Sequence, residues 1–541
     1  MTRRLAPALA LIGVVLTTAA ATVSDDFFAI KKNFEIFAKA YETLATGYAD
    51  EVEPERTMRR GLDAMLGGLD PYTNFFDERT IAESQLARGG NQAAPGVEIV
   101  SRAGRLVVGM PGEDAGGYRQ GLRPGDVLVT VGGRSAEAMG VADALALLRG
   151  PTNTTVEAVV EREGAAAPLR FTLVREAVSL KSVTFSGFAG ADTSGGVGVI
   201  RLASFGQGCA AEVRAAAERL HATGRLTALV LDVRDNPGGL VDEAVAIVGL
   251  FVPQNTAVVT VRGRAAGSER VFRTPAAPFL PDLPVVVLTS GLSASASEIV
   301  AGALQDFDRA VVAGVPTFGK GLVQNIQPLP YRTAIKLTTG RYYLPSGRVI
   351  QRLVYVNGVP AEVPEAERRS FRTARGRTVR DGRGIEPDVR ADVGGASDLE
   401  GALEREAAFV RYAAHAAATG EVRPAAPDAP LVAGLRAWLA AERFAYASPA
   451  ARAADTLLAR LDAGSPALDD ARRLRARLAA EGDRAFDAAT PALAVRVRAA
   501  LLARLDPDGR GAREALAYDA VLTQALRLAA DREAYARALR R

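Results

Sequence analysis

The stretch Val285-Val286-Val287-Leu288-Thr289-Ser290-Gly291-Leu292-Ser293-Ala294-Ser295-Ala296-Ser297-Glu298-Ile299 is the part of this 541-residue chain best suited to chemistry. It reads as a buried strand, a loop of small residues, and a helix that opens at Ser297-Glu298. Small side chains let a substrate backbone come close, and a hydroxyl at a strand-to-helix turn faces the cleft with helix N–H groups nearby. The same loop read alone is also an ordinary capped helix start, since serine is a favoured N-cap. A hydroxyl needs a base, and the histidines number only two, His221 and His415. Each lies near the end of a helix-like run, where an imidazole commonly does no more than favour the helix C-terminus. Lysine is the remaining candidate and serves only where burial lowers its pKa. Lysines occur at positions 31, 32, 39, 181, 320 and 336, and Lys320 stands between Gly319 and Gly321 beside apolar residues. That setting suits a desolvated amine, although a Gly-Lys-Gly alone also reads as a solvated turn. A phosphate loop is excluded, because Gly321 and not Ser or Thr follows the lysine. A third segment, Leu231-Asp232-Val233-Arg234-Asp235-Asn236-Pro237-Gly238-Gly239-Leu240, ends a buried strand in a Pro-Gly-Gly turn. Backbone N–H groups of such a turn can face a developing oxyanion, though the segment also fits a plain strand-to-helix connection.

Composition narrows the classes. The chain is 48% hydrophobic and 24% charged, which is ordinary globular material, and its length implies several domains. A net charge of +4 spread along the chain leaves no nucleic-acid footprint. The single cysteine, Cys209, forbids an internal disulfide and reads as a small core residue. No HExxH occurs and Cys and His are scarce, so neither a metal nor any other cofactor is expected.

The elements that must position these residues fall into blocks. Arg3 and Arg4, the apolar run Ala8 to Leu16, and Ala19-Ala20-Ala21 read as a secretory signal over residues 1–22, with an uncleaved membrane anchor as the alternative. Export to the periplasm, with or without anchorage to the inner membrane, is the expectation. Residues 26–88 carry helical spacing and end in the turn Leu69-Asp70-Pro71-Tyr72-Thr73, and Gly89-Gly90-Asn91 reads as a linker. Residues 92–178 hold short strands and one helical stretch, and Gly121-Leu122-Arg123-Pro124-Gly125-Asp126 resembles the marker of a PDZ domain. Such domains add an extended peptide to a sheet edge, and the matching carboxylate loop is Pro95-Gly96-Val97-Glu98-Ile99; a half-barrel without ligand is the alternative. Residues 179–397 alternate strands and helices as an α/β layered core, and 398–541 reads as a C-terminal helical domain. The fold class is therefore α/β multidomain, with a PDZ-like β domain inserted between an N-terminal helical segment and the layered core.

Taken in order, LDPYT, GLRPGD, DVRDNPGGL, SASASEI, FGKGLVQ, GRYYLPSGRVIQ and GIEPDV resemble the C-terminal processing proteases, serine peptidases of the tail-specific type. The resemblance runs from about Phe27 to Val393 and implies a serine endopeptidase that binds the C-terminal tails of exported proteins and cuts them through an acyl-enzyme. It implies Ser295 as nucleophile, Lys320 as general base, and Gln324 as the residue that positions the lysine. Backbone N–H groups of Gly238 or Gly239 and of Ala296 would form the oxyanion hole, with Asp306, Glu298 and Thr317 in support. Its partners would be protein substrates with exposed C-terminal tails, and an adaptor protein and homo-oligomers stay open. A departure stands at Ala115-Gly116-Gly117, where the family commonly writes Ser-Pro-Ala; two glycines there are expected to loosen the following helix. The alternative function is a catalytically inactive PDZ-containing scaffold or adaptor.

Overall fold

The computed structural model describes residues 6–540 apart from 79, 81–91, 103, 111–115, 138, 177–180, 189–195, 266, 392–397, 463–464, 506–515 and 517–518. Arg3 and Arg4, the linker Gly89-Gly90-Asn91, and Ala115 lie outside the described residues. Two compact units form, one from residues 1–78, 324–338 and 355–360, the other from the rest of the chain.

In the first unit, helices Ala6–Gly47 and Pro54–Gly67 precede a short strand, Asn74–Phe76. Proline at the first position of the second helix fits there because that N–H has no helical partner. The Leu69–Thr73 turn is held by Asp70, whose carboxylate accepts from the amides of Tyr72 at 2.8 Å and Thr73 at 2.9 Å. Asn74, Phe75 and Phe76 then pair antiparallel with Lys336, Ile335 and Ala334. Among the described residues, no helix is long and apolar enough to cross a membrane.

The second unit is built on a six-stranded sheet in the order Val183–Phe188, Val197–Leu202, Ala228–Asp232, Val285–Thr289, Val311–Gly314, Val389–Arg390. The first pair is antiparallel and the remaining neighbours are parallel. Ala228–Asp232 and Val285–Thr289 are buried at every position. Their mostly apolar runs are therefore buried on both faces, as parallel strands require, and each fully buried valine contributes about 1.5–3 kcal/mol. Helices Cys209–Ala222, Val241–Val248 and Ala296–Asp306 cover one face.

The other face is covered by helices Ala520–Ala530 and Arg532–Ala538, through Leu522, Ala525, Leu526, Ala529 and Tyr535. The tail after Asp398 is thus not one helical domain as expected: its last two helices belong to the core. Helices Asp398–Arg405, Ala408–Thr419, Asp428–Ala441 and Leu468–Leu505 form a separate cluster around Tyr412, Leu435 and Trp438, with Pro449–Leu458 packed on Leu468–Leu505. The physical reason is that an all-apolar parallel strand needs a cover on each face, and only the chain's end supplies the second.

The PDZ-like sheet runs Ile99–Arg102, Arg105–Val108, Val127–Val131, Thr155–Glu161, Leu169–Val174, with Ile99–Arg102 at its edge. Alternation along Thr155–Glu161 buries Val156, Ala158 and Val160. Asp126 of the GLRPGD turn is fully buried and accepts from the Arg123 amide at 2.8 Å and from Arg162 at 2.8 and 2.7 Å. The short helix Gly116–Arg119 forms with both glycines buried. A Cβ at 117 would stand 2.2 Å from Val97 Cγ2, and one at 116 would stand 2.7 Å from a Glu176 carboxylate oxygen. Close packing against the Pro95–Val97 loop and Glu176 therefore leaves no room for a side chain at either position.

Candidate active site

In a parallel sheet the loops leaving the carboxyl ends of neighbouring strands meet in one crevice. The loops after Asp232, Thr289 and Gly314 do so here, and hydrogen bonds fix them to one another. The Asn236 carbonyl accepts from the Ala294 amide at 3.0 Å and from Ser297 Oγ at 2.9 Å. Ser293 Oγ donates to the Val233 carbonyl at 2.7 Å, and Ser290 Oγ donates to Asp235 at 3.0 Å. Three of the four serines in the loop thus spend their hydroxyls on holding it. Ser295 differs: among the described residues its hydroxyl donates to no loop group, and the nearby Tyr342 phenol is kept neutral by burial, which pushes it up to about 12. Ser295 also sits at φ 54°, a left-handed conformation that an L-residue keeps only when its surroundings enforce it.

What enforces it is Glu298, a fully buried carboxylate one turn into the helix. Its Oε2 accepts from the Ser295 amide and from the Lys320 amide, each at 2.8 Å. The backbone nitrogens of those two residues are therefore no farther apart than twice that distance. Its Oε1 accepts from Thr317 Oγ1 at 2.5 Å and from the Gly319 amide at 2.6 Å. Burial raises the Glu298 carboxyl to about 7, against the opposing pull of these four donors. Thr317 is itself fixed, accepting from the Ile385 amide at 2.7 Å. Glu298 and Thr317, expected as neighbours of the dyad, are thus the residues through which the Ser295 and Lys320 segments are joined.

The Pro-Gly-Gly turn closes on the same point. A Cβ on Gly238 would lie 2.6 Å from the Ala294 carbonyl oxygen, 2.8 Å from Ser295 Cβ and 2.9 Å from the Ala296 nitrogen. Gly238 at φ 97° and Gly239 at φ 152° adopt backbone that side chains resist. The Gly238 amide donates to Asn236 Oδ1 at 2.9 Å, so it is already engaged. Among the described residues, the amides of Gly239 and Ala296 donate to no protein acceptor.

The remaining expected residues lie elsewhere. Asp306 is at the far end of the eleven-residue helix that Ser295 caps, about 16 Å away at ~1.5 Å per residue. It is buried against Arg348, 2.8 Å away, and accepts from the Ser346 amide, so its support is structural. Burial raises its carboxyl despite Arg348. Gln324 belongs to the first unit, where its Nε2 donates to Thr338 Oγ1 at 3.4 Å. In the PDZ-like domain the Pro95 carbonyl accepts from the Gly117 amide, and Gly96 turns the chain at φ 64°. Among the described residues, the amides of Gly96 and Val97 donate to no protein acceptor. The Glu98 side chain folds back to accept from the Met110 amide at 2.9 Å, and its carbonyl accepts from the Gly109 amide at 2.9 Å.

Cys209 is fully buried, and burial together with Glu243 pushes its thiol up to about 12, as suits a core residue. His221 packs edge-on against Phe279, and His415 pairs with Glu163 at 2.7 Å. Tyr342 was missed by sequence reasoning. The only signal for it was its place in GRYYLPSGRVIQ, where nothing marks one tyrosine over the next.

Comparison with known proteins agrees with this architecture. The profile of Peptidase family S41 matches residues 196–362, and that of the PDZ domain matches residues 107–162. A carboxy-terminal-processing protease of Bartonella bacilliformis is 31% identical over 340 residues, 62% of this chain and 77% of the relative. A CtpA-like serine protease of Staphylococcus aureus is 29% identical over 351 residues, 63% of this chain and 69% of the relative. Among solved structures, a photosystem II D1 C-terminal processing protease is 27% identical, covers 65% of this chain and 86% of its own, and gives a TM-score of 0.38. The chain belongs to peptidase family S41, as a serine protease of the carboxy-terminal-processing kind that carries a PDZ domain.

Proposed function

We propose that the chain captures C-terminal protein tails in its PDZ-like domain and cleaves them with a Ser295–Lys320 dyad. The observation that carries this reading is the single Glu298 oxygen shared by the amides of Ser295 and Lys320. In the proposed reaction the uncharged Lys320 amine takes the Ser295 proton as Oγ attacks the scissile carbonyl. The amides of Gly239 and Ala296 donate to the oxyanion, Gly238 being occupied by Asn236. Collapse of the tetrahedral adduct expels the amine fragment, which takes a proton from Lys320, and water then releases the acyl group from Ser295. Gln324 keeps its role of orienting the lysine by family resemblance alone.

The tail would lie as an added strand on the edge Ile99–Arg102, its carboxylate received by the unspent amides of Gly96 and Val97. Binding there would raise the local concentration of the scissile segment. The signal-like start of the chain supports export to the periplasm, with membrane attachment should residues 1–22 stay uncleaved.

The test is cleavage of a tailed reporter by wild type, Ser295→Ala and Lys320→Arg. Arginine keeps the charge but cannot shed its proton, so both variants are expected to be inactive. Equal cleavage by wild type and Ser295→Ala would end the proposal.

A further inference from the structure

The turn that presents Gly238 and Gly239 is anchored at its base by Arg234, and Arg234 is held from two directions. Its Nε and Nη2 donate to Asp232 at 2.9 and 2.7 Å. Its Nη1 and Nη2 donate to Asp519 at 3.2 and 2.6 Å. Two carboxylates therefore grip one guanidinium, each in bidentate fashion, the strongest form such a contact takes. Burial works against the charge on Asp232, yet Arg234 and Arg201 hold its carboxyl below the usual range.

Asp519 comes from the far end of the chain. It is the N-cap of helix Ala520–Ala530, where its Oδ1 also accepts from the Leu522 amide at 2.9 Å. That helix lies on the second face of the protease sheet, and the helix after it is bolted there by Tyr535, whose hydroxyl bonds both the amide and the carbonyl of Val285 at 3.1 Å. Val285 begins the strand that leads to Ser295. The chain end thus touches both segments that meet at the nucleophile, the oxyanion turn through Asp519 and the nucleophile strand through Tyr535. Asp519 lies well beyond residue 362, where the match to the family profile ends.

We infer that Asp519 is a positioning residue for catalysis, which acts through Arg234 to hold the Asp235–Gly239 turn where its amide meets the oxyanion. The inference rests on the proposed oxyanion role of that turn. From Arg234 the constraint passes along four residues: the Asp235 amide donates to Ser290 Oγ at 2.9 Å, and the Asn236 carbonyl receives Ala294 and Ser297. Releasing Arg234 from Asp519 leaves one carboxylate to fix a guanidinium that otherwise points toward the tail, and the turn gains freedom at the atom where charge develops. A donor lost outright costs about 10²–10³-fold in kcat, so a loosened one is expected to cost about tenfold.

The experiment uses the full chain with Asp519→Asn, Asp519→Glu and, in parallel, Ser295→Ala. Asparagine caps a helix about as well as aspartate, so the first variant keeps the cap and removes the charge that holds Arg234. Steady-state cleavage of a tailed peptide is expected to show kcat about tenfold lower in Asp519→Asn with KM unchanged, and recovery toward wild type in Asp519→Glu. A wild-type kcat in Asp519→Asn overturns the inference. So does a fall in kcat that Asp519→Glu fails to restore and that tracks a lowered melting temperature, since that is general destabilisation. Activity surviving in Ser295→Ala would instead fault the dyad, and it is read separately from the Asp519 result.

Discussion

Glu298 gives the sharpest physical test of the site, because one carboxylate controls both a titration and a geometry. Its rise from 4.5 to about 7 means that the folded state holds the proton that the unfolded chain has released. At ~1.4 kcal/mol for each tenfold change in proton affinity, that rise is worth about 3 kcal/mol. The sign follows directly: this stability is fully present below about pH 4.5 and is lost as pH rises through about 7. Glu298→Gln removes the titration, so the difference in stability between wild type and variant should shift by about 3 kcal/mol between pH 4.5 and 8, with wild type the one that weakens. At pH 8 the variant leaves two of the four buried donors facing an amide NH₂, a loss of roughly 1–3 kcal/mol each. Relief of the buried charge offsets much of this, so the variant stays folded. Activity should not be offset. The four bonds fix the backbones of Ser295 and Lys320, and misplacement of that kind costs about tenfold to 10²-fold in kcat. The assay is urea unfolding of both proteins across this pH range beside cleavage of a tailed peptide. Parallel unfolding midpoints at all pH values, or full activity in Glu298→Gln, would refute the reasoning.

Two further outcomes follow from glycine positions. Gly238→Ala places a methyl 2.6 Å from the Ala294 carbonyl oxygen and 2.8 Å from Ser295 Cβ at φ 97°; peptide turnover should fall by ~10²-fold or more, with about 1–3 kcal/mol of strain seen as a lower melting temperature. Gly117→Ala, at ordinary helical φ, drives a methyl to 2.2 Å from Val97 Cγ2 and shifts the Pro95–Ile99 loop. Its expected signature is a raised KM for tailed peptides beside unchanged cleavage of unfolded casein, and a uniform loss on both substrates would count against the loop's role.

Much of the site was legible from residue types because each carries its reason locally. An all-apolar strand, a small-residue loop and a helix start can be read at Val285 to Ile299, and they lie within one residue of where they were expected. The Pro-Gly-Gly turn was likewise visible, since left-handed backbone calls for glycine wherever it occurs. Which of four serines is the odd one out was not visible from pattern. That depends on where the other three hydroxyls find partners, two on backbone carbonyls and one on the Asp235 carboxylate, which only the packed loops reveal. The packing need for Gly116 and Gly117 was hidden for a related reason: helix propensity is a local quantity, whereas the need for a missing Cβ comes from Val97 and Glu176, distant in sequence.

The sequence by itself determined the elements, their order, and the residue types that chemistry needs, because periodicity and turn chemistry act over a few neighbouring residues. Tertiary structure alone decided that one buried carboxylate joins the Ser295 turn to the lysine loop. It alone decided that the last helices of a tail with no readable motif close the second face of the sheet and grip Arg234. Burial and buried hydrogen bonds are set by what covers a surface, and no residue states in advance which distant segment will cover it.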